Sequence, residues 1–122
     1  MKITLASFGF KHGYLAADLV WDVRFLPNPY WVPELKLLTG QEKAVARYAL
    51  DNDSGQRFLA LVEPLLLFLI EEYADRERDS LVVAVGCTGG KHRSVAVVER
   101  LRTILEAHGQ DLVVEHRDID KE

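Results

Sequence analysis

The 122-residue sequence has one cysteine, Cys87. This excludes an internal disulfide and any multi-cysteine zinc site within one chain. It has no Ser/Gly-rich linker, internal repeat or low-complexity tract, so one domain over residues 1–122 is expected. It has no excess of cations: 15 Lys+Arg against 19 Asp+Glu give a net charge of −4. That argues against broad nonspecific nucleic-acid binding and leaves room for a local basic site. It lacks a long apolar run, because Phe58 to Ile70 is interrupted by Glu63 and Pro64 and falls short of the ~20 residues of a membrane span. The start, Met1 to Thr4, carries one charge, and the apolar run that follows breaks at Ser7 and Gly9, unlike a secretory leader. Together these features predict a cytoplasmic, reducing environment and no membrane partner.

What is present is an ordinary globular composition, 48% hydrophobic and 28% charged. Ile3 to Phe8 reads as a first strand, followed by a loop at Lys11-His12-Gly13. Leu19 to Val23, rich in β-branched and aromatic residues, reads as a second strand. Residues 24–40, with Pro27 and Pro29, form a long connection without periodicity, of the kind that often carries function. Ala44, Val45, Tyr48 and Ala49 mark one helix face. Asp51 to Gly55 ends that helix and supplies caps for the next, predicted over Gln56 to Arg78 and kinked or broken at Pro64. Leu81 to Val85 is a continuous apolar run, the pattern of a strand buried on both faces of a parallel sheet. Val95 to His108 is a helix with Val98, Leu101 and Leu105 inward, stopped by Gly109. Leu112 to Arg117 is a last strand. The order β-β-α-α-β-α-β predicts an α/β domain: a small, mostly parallel sheet of about four strands flanked by helices.

The segment richest in chemistry is Gly86-Cys87-Thr88-Gly89-Gly90-Lys91-His92-Arg93-Ser94, entered from a strand and left by a helix. A helix N-terminus presents unpaired N–H groups and partial positive charge. Gly89 and Gly90 let the backbone approach a ligand closely, and successive N–H groups can form an anion nest. Lys91, His92 and Arg93 add cations that oppose the helix dipole unless an anion is present, and Thr88 and Ser94 add hydroxyls. The expected ligand group is a phosphate, with Thr88, Gly89, Gly90, Lys91, His92, Arg93 and Ser94 as its site. The competing reading is a tight strand-to-helix turn with Ser94 as N-cap. The loop is not a Walker A, since Lys91 is followed by His92 and the four-residue gap is missing.

The same segment fits C-x5-R-[ST], from Cys87 through Arg93 to Ser94, and so resembles the phosphate loop of cysteine-dependent phosphatases. There Cys87 would be the nucleophile and Asp22 a candidate general acid. Gly86 stands where such enzymes usually have His. A second constellation, Asp22-Val23-Arg24-Phe25-Leu26-Pro27-Asn28-Pro29-Tyr30-Trp31, leaves the end of the second strand. In open α/β sheets ligands bind beyond the carboxyl ends of strands. Arg24, Asn28 and Tyr30 are candidates there, and Lys11, after the first strand, for the same crevice. Asp22 alternatively holds Arg24 or Arg93. His12, His108 and His116 show no metal spacing, and His116-Arg117 reads as a surface strand end.

Taken together, Ser7-Phe8-Gly9-Phe10-Lys11, the segment from Asp22 to Pro29, Leu38-Thr39-Gly40, the loop from Gly86 to Ser94 and His116-Arg117 resemble the C-terminal domain of the RapZ family of RNase adapter proteins. The resemblance covers nearly the whole chain. In that family the domain follows a P-loop ATP-binding domain, which these 122 residues do not include. The family domain is similar to a sugar-phosphate-binding subdomain of phosphofructokinase. The resemblance implies binding of glucosamine-6-phosphate, a regulatory role in amino-sugar metabolism, homo-oligomers, and a protein or RNA partner. RNA is the weaker expectation, because the end Asp118-Ile119-Asp120-Lys121-Glu122 is acidic where RNA-binding members are basic. Thr88, Gly89, Gly90, His92 and Arg93 match the phosphate loop. Arg24, Asn28 and Tyr30 match the sugar side, with Tyr30 replacing the His of enterobacterial members. The leading expectation is a non-catalytic phosphorylated-amino-sugar sensor that needs no cofactor or metal. A cysteine phosphatase and an RNA-binding module are the alternatives.

Overall fold

Short β-branched runs and amphipathic segments alternate along the chain, and the elements follow that order. They are β1 (Lys2–Gly9), β2 (Leu19–Asp22), α1 (Lys43–Leu50), α2 (Asp53–Asp75), β3 (Ser80–Cys87), α3 (Arg93–Ala107) and β4 (Leu112–His116). The structure is a computed structural model that describes residues 1–121; Glu122, at the acidic end, lies outside the described residues. The four strands form one sheet in the order β2-β3-β1-β4, and every neighbouring pair is parallel.

Register places the apolar residues on one face. Ile3 pairs with Leu81 and Leu5 with Val83, while Leu19 and Trp21 of β2 meet Val83 and Val85. These residues join Leu59, Val62 and Leu66 of α2 and Val98, Leu101 and Leu105 of α3 in one core cluster. Burial of each such side chain contributes on the order of 1.5–3 kcal/mol, so this single cluster is the main source of stability.

Two expectations need correction. The long helix is one uninterrupted element with Pro64 inside it, neither broken there nor running on to Arg78. Proline cannot donate the helical N–H bond, but the buried face of Leu59, Val62, Leu66 and Ile70 carries the helix across the gap. It starts before Gln56 because Asn52 caps it, its side-chain oxygen accepting from the Gly55 N–H at 2.9 Å. Ser94 is not an N-cap: α3 begins at Arg93 and the cap position is His92, without a side-chain cap bond. The long connection and the first loop stay irregular apart from one short 3-10 turn each, Pro29–Trp31 and Phe10–His12.

Parallel strands end on the same edge. Gly9, Asp22, Cys87 and His116 therefore release their loops on one side of the sheet, and this gathers distant segments into one crevice.

Candidate functional site

The crevice beyond β1 and β3 is a cavity of about 540 Å³. Its floor is the loop between β3 and α3, including Thr88, Gly89, Lys91, His92 and Arg93. Its walls come from Asn28, Tyr30, Trp31, Lys36 and Leu37 of the long connection, with Lys11 and Lys121 from the other strand ends. The two constellations read from sequence thus meet, as does Lys11. Lys36, Leu37 and Lys121 escaped sequence reasoning, because nothing local marks a residue in an aperiodic connection or an acidic tail as cavity lining.

The floor is fitted by close backbone contact. Gly90 has φ +79°, and a Cβ there would lie 2.5 Å from the Gly9 nitrogen and 2.8 Å from the Phe8 carbonyl carbon. Gly90 therefore packs the loop against β1 and does not line the cavity, so its role is structural. Gly40 is also pinned: its N–H donates to the Lys91 carbonyl at 2.9 Å, and a Cβ would strike the His92 carbonyl and the Ala96 nitrogen.

His92 and Arg93 do more than present charge. The His92 ring is buried, its Nε2 donates to the Lys36 carbonyl at 3.0 Å, and burial lowers its pKa. It therefore does not supply the cation expected at the helix start. Arg93 is 5% exposed. Its Nη1 donates to the carbonyls of Arg24 (2.7 Å) and Leu26 (3.2 Å), and its Nη2 to Thr88 Oγ1 at 3.3 Å. The guanidinium thus ties the loop after β2 to the floor of the cavity. Its Nε, also buried, has no hydrogen-bond partner. A buried unpaired donor costs about 1–3 kcal/mol, more when charged. Lys11, Lys36 and Lys91 form no ion pair among the described residues, whereas Lys121 bonds Asp118 at 2.7 Å. No carboxylate lines the cavity among the described residues.

The remaining sequence candidates divide between the cavity and its surroundings. Arg24 and Asp22 form a bidentate pair at 2.7–3.1 Å, with Arg24 stacked 4.2 Å above the Phe10 ring, and neither lines the cavity. The Asp22 carboxyl is lowered by that Arg24 hydrogen bond. Asp22 thus holds Arg24, the structural alternative stated above. Ser94 is fully buried, its hydroxyl 3.1 Å from Cys87 Sγ. Asn28 Oδ1 accepts from the Tyr30 N–H at 3.1 Å, which presents Tyr30 and Trp31 at the rim. Cys87 lines the base of the cavity but is 2% exposed.

The strand ends are locked by Asp118 and His116, whose partners lie far away in sequence. Asp118 is fully buried and accepts from the Gly9 N–H (2.7 Å), Arg117 and Lys121. Burial opposes its charge, but these donors prevail and hold its carboxyl well below the usual range. His116 is no surface residue. Its Nε2 donates to Glu99 at 2.6 Å, and the Ser7 hydroxyl lies 2.6 Å from its Nδ1, which clamps β1, β4 and α3 together. Among the described residues no cluster could hold a metal ion, and no helix is long and apolar enough to cross a membrane.

A four-stranded parallel sheet with a glycine-containing strand-to-helix loop and a cavity lined by several lysines and Arg93 defines an α/β domain with a cationic crevice beyond its strand ends. The sequence profile of the RapZ C-terminal domain matches residues 1–120, and the chain belongs to that family. It is 51% identical to a protein of Caldicellulosiruptor saccharolyticus named a nucleotide-binding protein, over all of this chain and 42% of that protein. A nucleotide-binding protein of Bifidobacterium animalis subsp. lactis is 44% identical over 99% of this chain and 39% of its own length. A Clostridium acetobutylicum protein of the same description is also 44% identical, over 98% and 41%. The chain thus spans about two fifths of the length of these relatives.

Proposed function

We propose that this domain binds a phosphorylated amino sugar of the glucosamine-6-phosphate kind, without turning it over, as a metabolite sensor. The observation that carries the reading is Arg93, almost wholly buried at the cavity with an unpaired Nε, beside Lys91 and the glycine loop. A volume of about 540 Å³ suits a small metabolite. The phosphate end is served by cations and amides. The amine end finds only neutral oxygens, since no carboxylate lines the cavity among the described residues.

The same geometry speaks against phosphatase chemistry. Arg93 Nη1 is engaged with backbone carbonyls, and Asp22 is held by Arg24 away from the cavity.

Thermal unfolding with glucosamine-6-phosphate, glucose-6-phosphate, glucosamine and inorganic phosphate tests the reading. A ligand at 100 times its Kd adds ~2.7 kcal/mol, a rise of several degrees. The expected result is a shift with the amino-sugar phosphate that glucosamine and phosphate do not match. Lys91→Ala should weaken binding about tenfold while leaving the unliganded Tm nearly unchanged. Arg93→Ala should lower both. No shift with either sugar phosphate would overturn the reading.

A further inference from the structure

The cavity changes character from floor to rim. At its floor lie Gly89, Lys91 and Arg93, with the Lys11 side chain 3.9 Å from where a Gly89 Cβ would stand. Its rim is aromatic. Tyr30 is 45% exposed and Trp31 76%, and their rings meet edge to face with centroids 4.9 Å apart. An edge-to-face neighbour covers at most one side of the indole, so a flat face of Trp31 is open to solvent. Single exposed apolar side chains are ordinary, but two adjacent rings on the edge of a cationic cavity form a stacking platform.

The rim carries charge as well. Lys36 Nζ sits 4.5 Å above the Tyr30 ring, and the Lys36 carbonyl accepts from His92 at 3.0 Å. The first contact holds the ammonium beside the rings, and the second ties its backbone to the start of α3. Lys36 pairs with no carboxylate among the described residues, and neither do Lys11 and Lys91. Cations therefore stand at two places in one cavity: Lys11, Lys91 and Arg93 at the floor, Lys36 at the aromatic rim. A compact phosphate monoester serves one of them. Two linked phosphates with a planar ring beyond them serve both and use the platform. A volume of about 540 Å³ has more room than one hexose monophosphate occupies, and lies in the range of sites for larger ligands.

We propose that this cavity takes a nucleoside diphosphate sugar, with the base stacked on Trp31 and the diphosphate reaching from Lys36 to Lys11 and Lys91. The proposal rests on the reading of the cavity as a phosphate site, and extends its ligand from a sugar monophosphate to the nucleotide-activated form.

Calorimetric titration of the 122-residue chain compares uridine diphosphate N-acetylglucosamine and guanosine diphosphate mannose with glucosamine-6-phosphate. Both sugar nucleotides should bind about tenfold tighter or more and quench tryptophan fluorescence. Trp31→Ala should bring the ratio of affinities close to one and abolish the quenching. Its circular dichroism should match the parent, because the side chain is exposed, and Trp21, packed against the core, should not respond. Sugar nucleotides that bind no tighter than glucosamine-6-phosphate overturn this proposal and leave the monophosphate reading standing. An advantage that survives Trp31→Ala also overturns it. No binding of any of the three removes this proposal and the monophosphate reading together. A short oligouridylate that binds tighter than either sugar nucleotide, and loses that affinity in Trp31→Ala, overturns it in favour of single-stranded RNA.

Discussion

At the residue scale, His92 shows how a side chain can look like ligand chemistry and serve structure as well. Its imidazole caps the junction between the glycine loop and the long connection by donating to the Lys36 carbonyl. Burial lowers its pKa below the ordinary histidine value of 6.5. The unfolded chain therefore binds a proton more readily than the folded one, and stability rises with pH across this group. The contribution is fully present above about pH 6.5 and is lost as pH falls below it. Asp118 also loses stability on acidification, but only below its unfolded-state value of 3.8, outside this window. Tm should thus fall from pH 7.5 to 5.5, and His92→Gln should flatten part of that fall while retaining a donor for Lys36. Parallel Tm–pH curves for the two proteins would show that His92 titrates normally.

At the element scale, the glycine loop is defined as much by what it packs against as by what it faces. Gly90, with positive φ and its missing Cβ against the β1 backbone, lets the loop fold down between β1 and α3. Gly90→Ala combines left-handed strain with a backbone clash. It should cost about 2 kcal/mol or more, read as a lowered urea midpoint at unchanged m-value. Gly89, where a Cβ would meet only the Lys11 side chain at 3.9 Å, is the glycine that faces the cavity. From sequence the two were equivalent. Only the arrival of β1 alongside the loop separates their roles.

At the scale of the whole molecule, a chain of net charge −4 concentrates cations around one cavity: Lys11, Lys36, Lys91, Arg93 and Lys121. Binding of a phosphate there is expected to be salt-dependent, because the Debye length shrinks from ~10 Å at 0.1 M to ~3 Å at 1 M. Calorimetric titration with glucosamine-6-phosphate in rising NaCl should show affinity falling across that range. A salt-independent affinity would assign recognition to the backbone amides and the buried Arg93 alone.

The elements were legible in the chain because their signals are local: β-branched runs for β1 and β3, apolar spacing for α1 and α3, Asn52 as a cap. The loop from Gly86 to Ser94 was legible as a candidate site for the same reason, since glycines and cations lie adjacent at a strand-to-helix junction, and much of it lines the cavity. The partners of those residues were not. Nothing near Asp118 in sequence says that it will receive the Gly9 N–H, and nothing near His116 says that Ser7 and Glu99 will meet it. Parallel pairing of β1 with both β3 and β4 creates these contacts by bringing strand ends separated by about 80 to 110 residues to one edge. The sequence by itself determined the fold class and the chemistry of the loop. Tertiary structure decided which of the loop's side chains face the cavity, which are used up in holding it, and which lysines from distant segments complete it.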